Sequence, residues 1–153
     1  MTAQPDLINN SLTSNKVNGI GLVPVTYDDS GVRYELKQRS FGGIDNIPYI
    51  IYDNPVTIAE STTLTIEPGI TIKHGSYNWY NMFKVKGTLI AQGTSGNPIV
   101  FTDIADDEYG GDTNNDGSVT VPHSGDWGGI SIESTSGNSS ILEHCLIRFG
   151  GYK

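Results

Sequence analysis

The chain has 153 residues, which is the size of one domain and is long enough for a continuous apolar core without metal or disulfide cross-links. Only 17% of the residues are charged and 19 are glycine, a turn-rich composition typical of β proteins. The formal charge of −8 opposes binding to nucleic acids and anionic membranes, and the single cysteine excludes an intrachain disulfide framework and multi-cysteine metal sites.

The N-terminal quarter lacks a sustained apolar period. Residues 1–12 read as a flexible end, and residues 13–46 as an N-terminal cap region. Within the cap, two β-prone segments at 23–27 and 32–36 flank Asp28-Asp29-Ser30-Gly31, whose residue types suit a tight turn. The sequence therefore predicts a β-hairpin that covers one end of the main body.

From residue 47 onward the pattern becomes regular. Apolar residues fall at i and i+2 with Thr, Lys or Ser between them, which indicates half-buried strands, and no segment has a helical period. The strands are too short for the usual partners in a β-sandwich. They are predicted at residues 49–52, 56–58, 64–66, 70–72, 83–85, 89–91, 99–101 and 130–132.

A weak internal repeat indicates how these strands are arranged. Residues 64–72 align with 89–101 at an offset that begins at 25 residues, and a third pass begins at Gly129 once the insertion after Thr102 is set aside. Periods of this size mark solenoids, in which each coil stacks on the preceding one. The predicted fold is all-β, a right-handed parallel β-helix of about three coils over residues 47–153, with handedness taken from the crossover preference of parallel strands.

Four segments resemble pectate-lyase-like parallel β-helix domains of bacterial secreted and cell-surface proteins: residues 63–73, 85–94, 98–102 and 125–130. The resemblance covers roughly residues 47–152. It implies the fold, an extracellular or cell-surface location and a module of a longer protein whose signal peptide lies upstream. Because this fold carries lyases, hydrolases, adhesins and scaffolds, function has to be inferred from a site.

The insertion at residues 103–125 is the strongest candidate site. Asp112, Asn114 and Asp116 stand at positions 1, 3 and 5 of a turn with Gly117 at position 6, the spacing that directs alternate oxygens at one calcium ion. His123 stands where an EF-hand has its bidentate Glu, and no helix flanks the loop, so an EF-hand is excluded.

The remaining calcium ligands are expected upstream of this turn, because carboxylates packed so densely repel one another without a cation among them. The alternative is a solvated acidic loop whose residues merely suit turns. Nothing in the sequence brings a lysine or arginine to the loop. The upstream candidates are Asp106, Asp107 and Glu108.

Aromatic residues form a second candidate site. Tyr77, Trp79 and Tyr80 lie in one predicted turn, where their rings could stack on the sugars of a polysaccharide or, as the favoured alternative, pack onto the neighbouring coil. Trp127 and the small thiol of Cys145 are predicted to be structural core residues.

The sequence contains none of the common catalytic motifs, and His74, His123 and His144 are scattered. We therefore expect a non-catalytic, calcium-stabilised module that binds carbohydrate or forms a rigid adhesion or scaffold unit. The alternative is a segment of a polysaccharide lyase or glycoside hydrolase, which would use carboxylates of the insertion. We expect no nucleic-acid partner and no membrane insertion.

The end of the repeat at residues 141–149 is predicted to remain uncovered. The sequence shows no polar capping element after the last predicted coil, and an open coil presents apolar core and strand edges to water. We expect this end to stack on further coils of a parent protein or on another copy of the chain.

Overall fold

The computed structural model describes residues 7, 9–22, 26–27, 31–75, 81–133 and 139–151. These residues contain β-strands and turns and no α-helix, as the sequence predicted. Thirteen strands are found in this part of the chain: β1 (Ile20–Leu22), β2 (Thr26–Tyr27), β3 (Arg33–Leu36), β4 (Tyr49–Ile51), β5 (Val56–Ile58), β6 (Thr63–Ile66), β7 (Thr71–His74), β8 (Asn81–Val85), β9 (Thr88–Gln92), β10 (Ile99–Asp103), β11 (Gly129–Ile132), β12 (Ile141–Glu143) and β13 (Cys145–Ile147).

Successive strands pass in turn through three sheets. Sheet A has the order β1-β4-β7-β10-β13, sheet B the order β11-β8-β5-β2 and sheet C the order β12-β9-β6-β3. All pairs between these strands are parallel. One passage through the three sheets is called a coil below. The arrangement is all-β and consistent with a parallel β-helix.

Alternate residues of each strand point into one core shared by the three sheets. The register stacks them in columns, such as Ile72, Phe101 and Ile147 in sheet A or Ile58, Val85 and Ile132 in sheet B. In the coils between the first and the last these inward side chains are buried, and those of the first coil are partly buried. The period-2 pattern of the sequence therefore records which face of each short strand meets the core.

Close packing between coils fixes one glycine in particular. A Cβ atom on Gly87, in the bend between β8 and β9, would lie 2.1 Å from the carbonyl oxygen of Ala59 in the coil below. Any larger residue would push the two coils apart at this corner.

The predicted N-terminal hairpin is wrong. Strands β2 and β3, on either side of the Asp28-to-Gly31 segment, do not pair with each other: β2 pairs with β5 in sheet B and β3 with β6 in sheet C. Together with β1 they form an additional coil before residue 47, which precedes the three passes through the sheets that β4 to β12 make. Local turn chemistry suggested a hairpin, but the long-range parallel pairing with residues 56–66 determines the structure.

Within the described residues there is no helix of the length and apolar character that crossing a bilayer requires.

Candidate functional site

The acidic insertion, defined here as residues 104–128 between β10 and β11, lies across the outer face of sheet A. Gly110 lies against Pro48, just before β4, and against the side chain of Lys73 on β7. Farther along, the carbonyl oxygen of Thr113 accepts a hydrogen bond of 2.8 Å from the backbone N–H of Asn18, two residues before β1. The insertion therefore runs along the stack of coils and crosses several of them.

This cover explains an unusual burial pattern. The strands β4, β7 and β10 are buried at every position, on both faces, whereas β5, β6 and β9 in sheets B and C alternate between buried and more exposed residues. Outward-facing Thr102, which donates to Asp106 of the insertion, is inaccessible to solvent, and so is outward-facing Ile50, which lies against Gly19 and Gly75. Sheet A therefore has a second, outer packing layer.

Lys73 anchors the insertion to the middle of sheet A. Its side chain is fully buried, and its ammonium donates hydrogen bonds to the carbonyl oxygens of Asp106 (3.0 Å) and Gly111 (2.8 Å). Burial lowers the pKa of Lys73 to about 8, against the opposing effect of the nearby carboxylates, of which Asp106 is the strongest. The amine is thus held by backbone carbonyls inside an acidic shell.

Arg148, directly after β13, holds the upstream part of the insertion. Its Nη2 donates to Glu108 Oε2 at 2.6 Å. Its Nε forms an ion pair with Oδ2 of the buried Asp106 at 3.1 Å, but the two atoms are not aligned for a hydrogen bond. The guanidinium also stacks near the rings of Tyr109 and Phe149, at 4.8 and 5.2 Å from their centroids. Its hydrogen bond to Glu108 raises the pKa of Arg148.

Asp106 has a second partner at the same carboxylate. The hydroxyl of Thr102, on β10, donates to its Oδ2 at 2.6 Å. Asp103 is also buried, its Oδ1 accepts from the backbone N–H of Ala105, and burial raises its pKa. The carboxylates of Asp103 and Asp106 therefore accept hydrogen bonds from neighbouring residues at the base of the insertion.

Asp112 and Asp116 shape the turn that the sequence singled out. The carboxylate of Asp112 accepts from the backbone N–H groups of Asp116 (3.0 Å) and Gly117 (2.9 Å). Asp116 accepts from the hydroxyl and the backbone N–H of Thr120, and the hydroxyl bond is the main reason that the pKa of Asp116 is lowered. Gly117 has φ +64°, a left-handed conformation that glycine adopts without strain.

The six predicted calcium ligands are divided between two groups. Asn114 donates its Nδ2 to Asp116 at 2.9 Å, and Asp112 accepts from the backbone of Asp116, so these three residues form one cluster. Asp107 is tied to the same turn through the hydroxyl of Ser118, from which it accepts at 2.7 Å. The other group is Asp106 and Glu108 around Arg148.

Two oxygens of the first group stand out. Oδ1 of Asp107 and Oδ1 of Asn114 are buried and have no hydrogen-bond partner among the described residues. Within the same residues, no group of three or more His, Cys, Asp or Glu side chains converges closely enough to hold a metal ion. Any metal shell here would have to include amide or backbone oxygens.

The aromatic candidates Tyr77, Trp79 and Tyr80 lie between β7 and β8, outside the described residues. Trp127 is confirmed as a core residue: it is fully buried, and its indole N–H donates to the carbonyl oxygen of Arg148 at 2.8 Å. Cys145 is half-buried in the inward column of Ile99, and burial raises the pKa of its thiol.

Lys73 and Arg148 both reach the acidic loop, although nothing in the sequence was found to bring a lysine or arginine there. One signal was present in the repeat: Lys73 pairs with Thr102 in the β7–β10 register, so the chain leaving β10 starts beside it. Nothing local marks Arg148, which lies 40 residues from its partner Glu108.

Comparisons of the chain with protein-family models, with curated proteins and with solved structures found no match. The similarity to pectate-lyase-like domains accordingly stays a prediction from the sequence.

Proposed function

We propose that the chain is a calcium-stabilised, non-catalytic module with the right-handed parallel β-helix fold, serving as a rigid unit of an extracellular or cell-surface bacterial protein. The observation that carries this proposal is the path of the acidic insertion. It is bonded to Asn18 before β1, to Lys73 on β7 and to Arg148 after β13. A segment fixed at three levels of the stack opposes bending and separation of the coils.

The right-handed sense of this proposal rests on the general preference of such connections. Each strand returns to its own sheet only after passing through the other two, so every coil is a crossover between parallel strands. Such crossovers are overwhelmingly right-handed because of the inherent twist of the strands.

Calcium is proposed for the cluster of Asp107, Asp112, Asn114 and Asp116. Buried polar atoms in proteins are normally satisfied, so the unpartnered Oδ1 atoms of Asp107 and Asn114 call for a ligand such as water or a cation. Calcium accepts carboxylate, amide and backbone oxygens together in a flexible shell of six to eight. Asp106 and Glu108 are left out of this shell, because Arg148 already neutralises them.

An extracellular setting suits such a site. A shell with only three carboxylates, on a loop largely open to solvent, is expected to bind calcium weakly, and sites with dissociation constants of about 10⁻⁴–10⁻³ M are typical of extracellular modules.

A catalytic role is not favoured by the placement of the carboxylates. Asp103 and Asp106 are buried at the base of the insertion, and Glu108 is engaged by Arg148. Glycoside hydrolysis requires two carboxyl groups that flank a bound sugar. Carbohydrate binding through Tyr77, Trp79 and Tyr80 stays a separate prediction.

Thermal unfolding with and without calcium tests the stabilising role. In millimolar calcium the melting temperature should exceed that in chelator. The free energy of unfolding should grow with free calcium, by about 2.7 kcal/mol when calcium is at a hundred times its dissociation constant. Asp112→Asn/Asp116→Asn should abolish the gain while keeping oxygen acceptors for the turn. The matched control, Asp45→Asn/Glu60→Gln, removes two exposed carboxylates elsewhere and should retain it.

Equal melting in calcium and chelator would refute the calcium site, as would an equal loss in the control variant. The non-catalytic role has its own test, in which acidic and neutral polysaccharides are incubated with the protein, with and without calcium. Release of reducing ends or unsaturated products would contradict it.

A further inference from the structure

Two separate parts of the chain cover the outer face of sheet A. The insertion contributes Gly110, whose Cβ position would lie 3.2 Å from the side chain of Lys73. The chain just before β1 contributes Gly19, whose Cβ position would lie only 2.4 Å from the side chain of Ile50. The outer packing layer therefore depends on both parts staying in place.

Thr113 is the point at which the two parts are joined. Its carbonyl oxygen accepts a hydrogen bond of 2.8 Å from the backbone N–H of Asn18, and its side chain is buried. Its hydroxyl lies 3.3 and 3.1 Å from the carbonyl oxygens of Gly110 and Gly111, to which it can donate. The same oxygen of Gly111 accepts from Lys73. A continuous path of hydrogen bonds therefore runs from the buried ammonium through Thr113 to the chain before β1.

Thr113 also lies between two of the proposed calcium ligands. Asp112 precedes it and Asn114 follows it, and the buried Oδ1 of Asn114 has no hydrogen-bond partner among the described residues. Coordination of one ion by both neighbours fixes the backbone on either side of Thr113. Without a cation, the carboxylates of Asp107, Asp112 and Asp116 repel one another and favour opening of the turn. The cation and the bond to Asn18 therefore stabilise the same arrangement of residues 112–114.

We infer that the insertion is a calcium-dependent strap for the first coil, which consists of β1, β2 and β3. Calcium at the turn tightens the attachment of residues 18–22 to the stack through Thr113. This inference rests on the proposed calcium site and adds to it a segment that the site regulates. The coupling is reciprocal, so attachment of residues 18–22 raises the affinity for calcium by the same factor.

The start of the first coil is suited to such regulation. Strand β1 is three residues long, and none of its residues is fully buried. It is paired with β4 over those three residues, and the N–H of Ile20 donates to the carbonyl oxygen of Pro48 at 2.9 Å. Segments with so few buried contacts open locally at a low free energy, so one further attachment changes their population of open states measurably.

Amide hydrogen exchange of the wild-type chain, resolved to single amides by NMR, tests the inference in chelator and in millimolar calcium. Calcium should slow exchange of the Asn18 amide by about tenfold or more, a typical size for coupling between two sites. The Gly31 amide is the internal control. It also fastens the first coil, by donating to the carbonyl oxygen of Ser61 at 2.9 Å, but it lies between β2 and β3, away from sheet A. Its exchange should change by less than about twofold.

Two variants separate the ion from the attachment. In Asp112→Asn/Asp116→Asn, exchange of the Asn18 amide should be the same in calcium and in chelator. Thr113→Ala keeps every proposed ligand but removes the hydroxyl that positions the carbonyl group, so the Asn18 amide should exchange faster and respond less to calcium. Thr57→Ala removes a hydroxyl from the outer face of sheet B and should behave like the wild type.

Isothermal titration calorimetry shows independently whether calcium binds. Binding of calcium without slower exchange at Asn18 would overturn the strap and leave the calcium site intact. Absence of binding would refute the calcium site and the strap together. Equal slowing at Asn18 and Gly31 would also overturn the strap, because calcium would then stabilise the whole stack. Circular dichroism establishes that the variants fold, and if Thr113→Ala does not, the comparison of Asn18 with Gly31 in the wild type still decides.

Discussion

Ile72 and Ile147 are the same residue type, in the same sheet and in the same inward column, separated only by Phe101. Ile72 is completely buried and Ile147 is 54% exposed. Both strands have the same alternation of apolar residues, and in both the isoleucine faces the core. The comparison teaches that in this architecture a strand's own sequence determines which side chains face the core, whereas the coils on either side bury them.

A similar contrast separates the outer faces of the sheets. In sheet A the outward side chains of Lys73 and Thr102 are buried beneath the insertion, whereas Thr57 and Lys84 in sheet B are partly exposed. The insertion therefore buries the outer face of sheet A, just as a neighbouring coil buries the inward residues at the end of the stack.

The sharpest test of this comparison is the pair Ile72→Ala and Ile147→Ala. Removing the buried Ile72 side chain should cost about 2–5 kcal/mol of unfolding free energy, since it loses burial and leaves a cavity. The same change at Ile147 should cost less than about 1 kcal/mol because half of that side chain is already in water. Urea unfolding followed by tryptophan fluorescence measures both, and equal losses would show that the last coil is covered in solution.

Lys73→Met probes the outer layer of sheet A through pH. The folded pKa of Lys73 is about 8, below the ordinary value of 10.5, so between these values the folded chain binds fewer protons than the unfolded chain. Stability therefore rises with pH across this window, by an amount on the order of 2–3 kcal/mol that Lys73→Met should lack. The measured quantity is the difference in unfolding free energy between wild type and variant from pH 7.5 to 10.5.

The use of a difference removes the titration of Tyr27, Tyr49, Tyr52 and Cys145, whose raised pKa values affect both proteins alike. Lys84→Met is the matched control, because Lys84 is an exposed strand lysine paired with Glu133. Its curve should run parallel to that of the wild type. Parallel curves for Lys73→Met as well would mean that the amine is solvated in both states.

Much of the stack was predictable, because the inward alternation of short strands and their offset of about 25 residues are visible in the sequence. The first coil was not. Its β2 residue Thr26 pairs with Thr57, and no local feature marks a partner that distant, whereas the Asp-Asp-Ser-Gly segment strongly suggests a local turn.

The candidate site divides in the same way. The turn of Asp112, Asn114 and Asp116 was predictable because its spacing is local. The contacts of Lys73 with the insertion join residues 33 and 38 positions apart, and they depend on the path that the insertion takes over sheet A. Long-range placement of this kind is a property of the folded surface and leaves no periodic trace in a single sequence.

The smallest expected effect belongs to Arg148→Lys, which tests how the insertion is fastened beside the last coil. A lysine keeps the positive charge near the buried Asp106 but has no planar fork to contact Glu108 at the same time, and it loses the stacking on Tyr109. Because Arg148 is partly exposed, the loss should be about 1 kcal/mol. Amide hydrogen exchange should rise in residues 104–109 and stay unchanged in β4, whose outward Ile50 lies against Gly19 and Gly75 rather than against the arginine. Arg33→Lys, at an exposed position of β3, is the control and should change neither quantity. If exchange instead rises along the whole insertion and in β4, the insertion is held from its Arg148 end alone, and the contacts at Lys73 and Asn18 follow from that single attachment.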